Sequence, residues 1–210
     1  MACFSRGIKV KRLVFGAVVL VWASATGAAL AHFWRYAATP GAAASAVPER
    51  IAASQGKSRV RVFLDARCPC SRATVAELAR VAARLSNPTE FQVLFAAADE
   101  SDSSWKSSSL YEDVSRLPGV TVFADVGGAR ARSYGIATSG QVLAYRPDGT
   151  LAFAGGVTGS RGHEGDNDGK SQLLAALDAS SASPRREATT TAVYGCELPV
   201  YSTEILKELP

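Results

Sequence analysis

Cys68 and Cys70 are separated by a single proline, and they are the residues of this chain best suited to chemistry. They lie between an apolar run that predicts a strand, residues 60–64, and a run with helical spacing, residues 73–85. A helix N-terminus carries unpaired N–H groups and partial positive charge, which favour a thiolate over a thiol. Pro69 suits the first helical position because it has no N–H to leave unsatisfied there. Cysteines in this setting are nucleophiles, a redox couple or ligands of a soft metal; two structural thiols that happen to be close are the alternative.

A disulfide between Cys68 and Cys70 would close a tighter ring than one between cysteines separated by two residues. Alpha carbons two residues apart lie within the roughly 4.4–6.8 Å that a disulfide tolerates, but the bond is expected to be strained. Strain makes a disulfide easier to reduce, so the pair is predicted to act as an oxidant or isomerase-like couple more than as a strong reductant. The spacing leaves open which of the two cysteines attacks.

Length and charge exclude several classes of protein. The 210 residues allow one domain with appendages, and much of the positive charge behind the net +4 precedes residue 13. The rest of the chain has no Lys/Arg-rich segment interleaved with aromatic residues, so no nucleic-acid partner is predicted. Four cysteines are too few for a disulfide-stapled scaffold of this length.

An uncharged apolar run covers residues 13–34 and follows a basic segment, residues 1–12, with Arg6, Lys9, Lys11 and Arg12. About 20 apolar residues span a bilayer, and flanking basic residues stay on the cytoplasmic side. A cleaved signal peptide with its small-residue site at 29–31 is one interpretation, and an uncleaved signal-anchor is the other. The length of the run favours the anchor. Both interpretations predict that the rest of the chain lies outside the cytoplasm, on the periplasmic side, whereas Cys3 stays on the cytoplasmic side of an anchor.

Strand and helix signals alternate beyond the apolar run. Residues 35–57 are small, aperiodic and punctuated by Pro and Gly, which predicts a linker. Strands are predicted at 60–64, 91–96, 120–123, 142–145 and 151–153, and helices at 73–85, 104–117 (in part), 128–134 and 170–179. This order predicts an α/β domain over residues 58–182, with a mixed sheet whose last strand is antiparallel and with helices on both faces. Residues 183–210 then form a C-terminal extension that carries Cys196.

The order of elements, with a cysteine pair at the first strand–helix junction, resembles the thioredoxin fold. The additional strand and helix at 120–134 are similar to the insertion in membrane-tethered thiol reductases of the TlpA class and in peroxiredoxins. Resemblance to RedB-type proteins, a membrane-anchored thioredoxin-like group, rests on DARCPCSRATVAELARV, YGIATSGQVLAYRPDG, GGVTGSRGHEGDNDG and VYGCEL. It covers residues 58–199. It implies a thioredoxin-like fold and an extracytoplasmic compartment. A cysteine couple in that compartment is expected to exchange thiols and disulfides with proteins there and to need a membrane or extracytoplasmic electron donor.

The chain differs from thioredoxins at two positions of the motif. Thioredoxins have two residues between the cysteines, where this chain has only Pro69. They also place a cis-proline before the strand that faces the cysteines, and counting back from the predicted hairpin puts Gly140 in that position. In thioredoxins this proline helps to hold an extended substrate and keeps metals away from the thiols. No cofactor is predicted, but the glycine leaves copper binding as the alternative function.

His163 lies in the glycine-rich segment 156–169, which passes beside the cysteines in a thioredoxin-like arrangement. It is predicted as an acid–base group for a thiol, or as a copper ligand together with Cys68 and Cys70; a solvated loop histidine is the third possibility. Copper chaperones of the Sco type use this kind of ligand set on a related fold, with differently spaced cysteines. Arg161, in the same segment, either lowers the pKa of a nearby thiol or is simply solvated.

The acidic residues of this segment do not form a calcium loop. Counted from Asp166, the twelfth position is Leu177, where a calcium loop needs glutamate. One of Asp166, Asn167 and Asp168 is instead predicted to cap the following helix, whose positive end also favours the neighbouring Glu164.

Cys196 follows a spacer, residues 180–191, that is long enough to fold back across the domain. It is predicted to resolve a mixed disulfide formed at Cys68 or Cys70, or to complete a metal site; a free thiol at the domain edge is equally compatible. The sequence therefore predicts a membrane-tethered thiol–disulfide oxidoreductase with Cys68, Cys70, His163 and Cys196 as its candidate catalytic residues.

Overall fold

The computed structural model describes residues 3–178, 187–199 and 201, which fall into two units divided after Ala38. The first unit is a single helix, α1 (Cys3–Ala38). Its Lys11–Ala38 stretch is long and apolar enough to cross a membrane, a criterion that a signal sequence also meets. The span predicted at 13–34 lies inside this stretch.

The second unit is built on a six-stranded mixed sheet with the strand order β3-β2-β1-β4-β5-β6. The strands are β1 (Ser58–Leu64), β2 (Thr89–Ala97), β3 (Val120–Val126), β4 (Gln141–Tyr145), β5 (Leu151–Gly155) and β6 (Thr189–Thr190). β1, β2 and β3 run parallel, and β4 is antiparallel to both β1 and β5. The antiparallel strand is therefore β4 and not, as predicted, the last strand. β6, which pairs in parallel with β5, lies in the predicted spacer.

Helices cover both faces of the sheet, as predicted. They are α2 (Ser71–Ala82), α3 (Ser109–Ser115), α4 (Ala129–Ser133) and α5 (Asp168–Asp178), with a short 3₁₀ helix at Ser104–Ser107. Along β1, Val62 belongs to a core that includes residues of α2, α3 and α5, whereas Phe63 belongs to a second core with Ala131 of α4. Because successive side chains of a strand point to opposite faces, these two cores lie on opposite sides of the sheet.

Residues 39–57, predicted as part of a linker, are irregular but are hydrogen-bonded to the domain. Ser45 N–H donates to the Gly135 carbonyl (3.2 Å), and Leu151 N–H donates to the Glu49 carbonyl (2.8 Å). Val47 and Ile51 pack against the second core. The packed unit thus begins near residue 39, although its first strand starts close to the predicted boundary at 58.

The segment after β6 crosses from the sheet edge to the loop before β4. Thr191 N–H donates to the Ala154 carbonyl (3.2 Å), and Leu198 N–H donates to the Ala137 carbonyl (2.8 Å). Between them, Glu197 forms an isolated antiparallel bridge with Thr138. This path brings Cys196 to the end of the sheet where a turn connects β1 to α2. Parts of the predicted spacer and extension, residues 179–186, 200 and 202–210, lie outside the described residues.

Candidate thiol site

Cys68 and Cys70 lie in the turn between β1 and α2, as the sequence predicts. Cys68 N–H donates to the Asp65 carbonyl (3.0 Å), and Ser71 N–H donates to the Cys68 carbonyl (3.1 Å). Cys70 is the N-cap of α2, so Pro69 precedes the cap instead of occupying the predicted first helical position. Both cysteines are free thiols, and 3% of Cys68 and 8% of Cys70 is exposed. The pair therefore sits at a helix N-terminus, close to the surface but largely shielded from water.

Cys196 completes a cluster of three thiols. Its sulfur and those of Cys68 and Cys70 all lie within 4.8 Å of one another. The backbone N–H of Cys196 also donates to Cys68 Sγ, with a nitrogen–sulfur distance of 3.4 Å. Cys196 is a partly exposed free thiol. The structure thus brings together three of the four predicted site residues, from two segments far apart in the chain.

Ser139 holds the three parts of the site together. Its N–H donates to the Cys196 carbonyl (2.9 Å), and its hydroxyl oxygen accepts from Asp65 N–H (2.8 Å). The same hydroxyl lies 2.8 Å from the Ser71 hydroxyl, and the side chain is fully buried. Sequence reasoning missed this residue; the only signal was its place beside Gly140, before the strand that faces the cysteines.

Two glycines permit the close approach of these segments. A Cβ on Gly195 would overlap the Ser139 carbonyl oxygen, so only glycine lets the C-terminal segment lie against the loop before β4. Gly140 directly precedes β4, has a φ of +94°, and donates its N–H to the Phe63 carbonyl (2.8 Å). It is the residue that the sequence predicts at the cis-proline position of thioredoxins, and the described residues contain no cis peptide bond.

The three thiols differ in how readily they ionise. Burial raises the pKa of Cys68, but hydrogen bonds donated by Ser71 and Cys196 outweigh it, and the net pKa is lower than that of an ordinary thiol. Burial and the negative charge at Cys68 raise the pKa of Cys70. Burial, followed by the hydrogen bond to Cys68 and the charge there, raises the pKa of Cys196 to about 12. Cys68 is therefore the thiol that becomes a thiolate most easily.

Arg161 is the positive charge that acts on this cluster. Its guanidinium donates a hydrogen bond to the Gly195 carbonyl, next to Cys196. Its charge acts to lower the pKa of both Cys70 and Cys196, opposing the larger effects of burial and of Cys68. Of the two interpretations of this arginine, the geometry supports the one in which it tunes thiols.

His163, the fourth predicted site residue, is exposed, and its backbone N–H donates to the Ser160 carbonyl (3.3 Å). Among the described residues, the cluster of potential metal ligands at this site consists of the three cysteines and does not include the histidine. The glycine-rich segment that carries His163 thus reaches the thiols through Arg161 instead.

A buried ion pair fixes the glycine-rich segment on α2. Lys170 Nζ lies 3.0 Å from Glu77 Oε2, and both side chains are at least 95% buried. Gly165 N–H donates to Glu77 Oε1 (2.6 Å). Asn167, one of the three residues predicted as a helix cap, accepts from Lys170 N–H (2.8 Å) and caps α5. Glu77 thus holds the segment against α2 through Gly165, and Lys170 balances the buried charge of Glu77.

A small groove borders the turn that carries Cys68. It has a volume of about 270 Å³ and is lined by polar and aromatic side chains, among them Asp65, Arg67, Asp102, Trp105 and Tyr201. Trp105 stacks on Phe95 with ring centroids 5.3 Å apart, which anchors one wall to the core.

Comparison with known proteins supports the fold. No family model and no curated protein matches the sequence. A hypothetical protein from Sinorhizobium meliloti 1021 is similar in structure, with 18% identity, a TM-score of 0.52, and coverage of 76% of this chain and 93% of that one. An uncharacterized conserved protein from Geobacillus kaustophilus gives 16% identity, a TM-score of 0.50, and coverage of 75% and 91%.

A secreted Mycobacterium tuberculosis disulfide oxidoreductase homologous to E. coli DsbE is also similar, with 20% identity, a TM-score of 0.41, and coverage of 62% of this chain and 96% of that one. By its strand order and its element order, the chain has a thioredoxin-like fold. The predicted fold class is thus confirmed. At these identities the similarity shows the fold alone, so the narrower resemblance to RedB-type proteins rests on the sequence motifs.

Proposed function

We propose that this thioredoxin-like protein carries out thiol–disulfide exchange with proteins outside the cytoplasm, with Cys68 as the attacking thiolate. The observation that supports this is the cluster of three free thiols at the start of α2, with sulfurs within 4.8 Å of one another. One thiolate and a neighbouring thiol are the minimum that exchange needs.

The exchange has two steps. The Cys68 thiolate attacks one sulfur of the partner's disulfide, a mixed disulfide forms, and the partner's other sulfur leaves as a thiolate. A second thiol of the cluster then attacks the Cys68 sulfur and loses its proton, so that an internal disulfide forms and the partner leaves with two thiols. Two electrons pass to the partner, and a thiol donor of the same compartment must return them. Run in reverse, the same steps oxidise a partner.

Cys70 and Cys196 are both within reach of Cys68 for the second step. A bond from Cys68 to Cys70 closes a tight ring at the start of α2, whereas a bond to Cys196 joins two separate segments that Ser139 already holds together. We propose that Cys70 resolves the mixed disulfide and that Cys196 competes with it. His163 takes no part in this proposal because it is exposed and lies outside the thiol cluster.

We also propose that α1 is a signal-anchor that crosses the membrane once and leaves the thiol site on the periplasmic side. The apolar Lys11–Ala38 stretch and the basic residues before it support this topology. A reporter that is active only outside the cytoplasm, fused after Pro210, should be active. An inactive reporter there, with an active cytoplasmic reporter at the same position, would contradict the topology.

The exchange is tested with the reduced full chain in detergent and a model protein disulfide. Cys68→Ser should abolish reduction of the disulfide, and the double variant Cys70→Ser/Cys196→Ser, which has neither resolving thiol, should accumulate a mixed disulfide at Cys68 that is visible by non-reducing electrophoresis. Cys3→Ser is the matched control and should keep full activity, because the proposal gives that cysteine no role. Undiminished reduction by Cys68→Ser would refute the proposed exchange.

A further inference from the structure

The three sulfurs are arranged as a ligand set as well as a redox site. They lie within 4.8 Å of one another and come from the β1–α2 turn and the C-terminal segment. Metal–thiolate bonds of about 2.3 Å place three sulfurs about 4.0 Å apart around a central ion. The cluster therefore needs to contract by at most about 0.8 Å per pair of sulfurs to reach that spacing.

The surroundings suit a cation bound by thiolates. Three thiolates at this spacing repel one another strongly unless a cation lies between them. Cys196 N–H already donates to Cys68 Sγ (3.4 Å), and Arg161 places a positive charge beside the cluster. Donors and charges of this kind around a metal's ligands help to fix their orientation and to balance their charge. Ser139 supports both ligand-bearing segments from a buried position.

The ligand set favours one kind of metal ion. Thiolate ligands select soft ions such as Cu(I) and Zn(II). Structural zinc takes four protein ligands, whereas the cluster offers three sulfurs, and no His, Asp or Glu among the described residues joins it. A soft ion that accepts three sulfur ligands fits this set better.

We propose that the reduced protein binds one Cu(I) ion through the sulfur atoms of Cys68, Cys70 and Cys196. Binding releases the thiol protons that remain on these sulfurs, and no electron is transferred. A disulfide between any two of the cysteines removes two ligands, so the oxidised protein does not bind the ion. The ligand set replaces the one predicted from the sequence, in which His163 was the third ligand. This proposal does not depend on exchange activity.

The test uses the full chain in detergent, in a Cys3→Ser background, reduced and under anaerobic conditions. Cu(I) is supplied from a chromophoric Cu(I) chelator, so that transfer to the protein is read from the loss of the chelator complex. We expect one equivalent to bind, a thiolate-to-copper absorption in the near ultraviolet, and three sulfur neighbours by X-ray absorption. Cys196→Ser should weaken binding by more than the roughly 10–100-fold that loss of an outer-shell partner costs.

His163→Ala is the matched control and should bind Cu(I) as the parent does. Cys70→Ser is a second ligand variant, and near-ultraviolet circular dichroism confirms that each variant is folded. Unchanged affinity in the folded Cys196→Ser and Cys70→Ser variants would overturn the site, as would a large loss of affinity in His163→Ala. Exchange activity is measured on metal-free samples of the same variants and separates the two proposals. A protein that exchanges disulfides but does not bind copper overturns the copper site alone. A protein that binds copper but does not exchange disulfides overturns only the proposed function.

Discussion

Replacing Ser139 with alanine should both destabilise the domain and make Cys68 harder to ionise. The hydroxyl oxygen accepts from Asp65 N–H at 2.8 Å and lies 2.8 Å from the Ser71 hydroxyl. A hydrogen bond from Ser71 is one cause of the lowered pKa of Cys68, and we take the Ser139 hydroxyl as the donor to the Ser71 oxygen. Ser139→Ala removes this relay but keeps the backbone N–H that donates to Cys196.

The size of the effect follows from burial. Ser139 is fully buried and 1% of Ser71 is exposed, so water cannot replace the lost partner without opening the site. Leaving a buried donor such as Asp65 N–H unsatisfied costs about 1–3 kcal/mol. Taking about 2 kcal/mol, the midpoint of thermal unfolding should fall by about 4–8 °C for a unit of this size. The weaker donor at Ser71 should also shift alkylation of Cys68 to higher pH, since the thiolate is the species that reacts.

Ser133→Ala is the matched control. The Ser133 hydroxyl donates to the Arg130 carbonyl at 2.8 Å but is exposed, so its loss should change stability by no more than about 0.5 kcal/mol. Both variants are compared by thermal unfolding of the reduced full chain and by the pH dependence of alkylation. If Ser139→Ala unfolds at the same temperature as Ser133→Ala and alkylates with the parent's pH profile, the relay has no energetic role and the reasoning is refuted.

Three further predictions concern the charges around the site. In reduced, metal-free protein, alkylation of Cys68 should be half-maximal at a lower pH than that of an ordinary thiol, because hydrogen bonds lower its pKa, and alkylation of Cys196 should be half-maximal at a much higher pH. Mass spectrometry of peptides alkylated at each pH shows the order, and the reverse order would contradict the assigned hydrogen bonds. Arg161→Met should move alkylation of Cys70 to higher pH, since the removed charge favours the Cys70 thiolate. An unchanged profile means that the arginine does not act on the thiols. Lys170→Met should destabilise the domain by up to about 3 kcal/mol, because it leaves the buried Glu77 carboxylate with Arg80 as its remaining cationic partner. The double variant Lys170→Met/Glu77→Gln should recover part of this loss, as measured by thermal unfolding. Equal stability of the single and the double variant would count against the ion pair.

Most of the fold was predictable because its signals are local. Apolar runs and helical spacing placed β1, α2 and the β4–β5 hairpin to within a few residues, and Gly140 was correctly placed before β4. Pairing was harder to predict, because strand direction depends on contacts across the sheet. The docked segment 39–57 was missed for the same reason: its hydrogen bonds are made by the backbone, which leaves no pattern in side-chain types.

The site was predictable only in part. The sequence placed Cys68 and Cys70 at a strand–helix junction, but it gave His163 and Cys196 similar standing as further site residues. Of the two, only Cys196 reaches the other thiols, because the neighbouring Gly195 lets its segment lie against the carbonyl of Ser139. Both residues lie in stretches that carry the resemblance to RedB-type proteins, but the sequence does not show that these two stretches, far apart in the chain, meet. Proximity of this kind is decided by packing.

The unequal ionisation of the three thiols suits the proposed exchange at each of its steps. Before the reaction, the charge at Cys68 is itself one cause of the raised pKa of Cys70 and Cys196, so the site favours one thiolate and two thiols. Once Cys68 enters a mixed disulfide, that charge is gone. The charge at Cys68 then no longer disfavours ionisation of Cys70 and Cys196, while the charge of Arg161 remains and favours their ionisation. The second thiol therefore becomes easier to deprotonate at the step in which its sulfur must attack. Hydrogen bonds select Cys68 as the first nucleophile, and the loss of its charge then favours ionisation of the second.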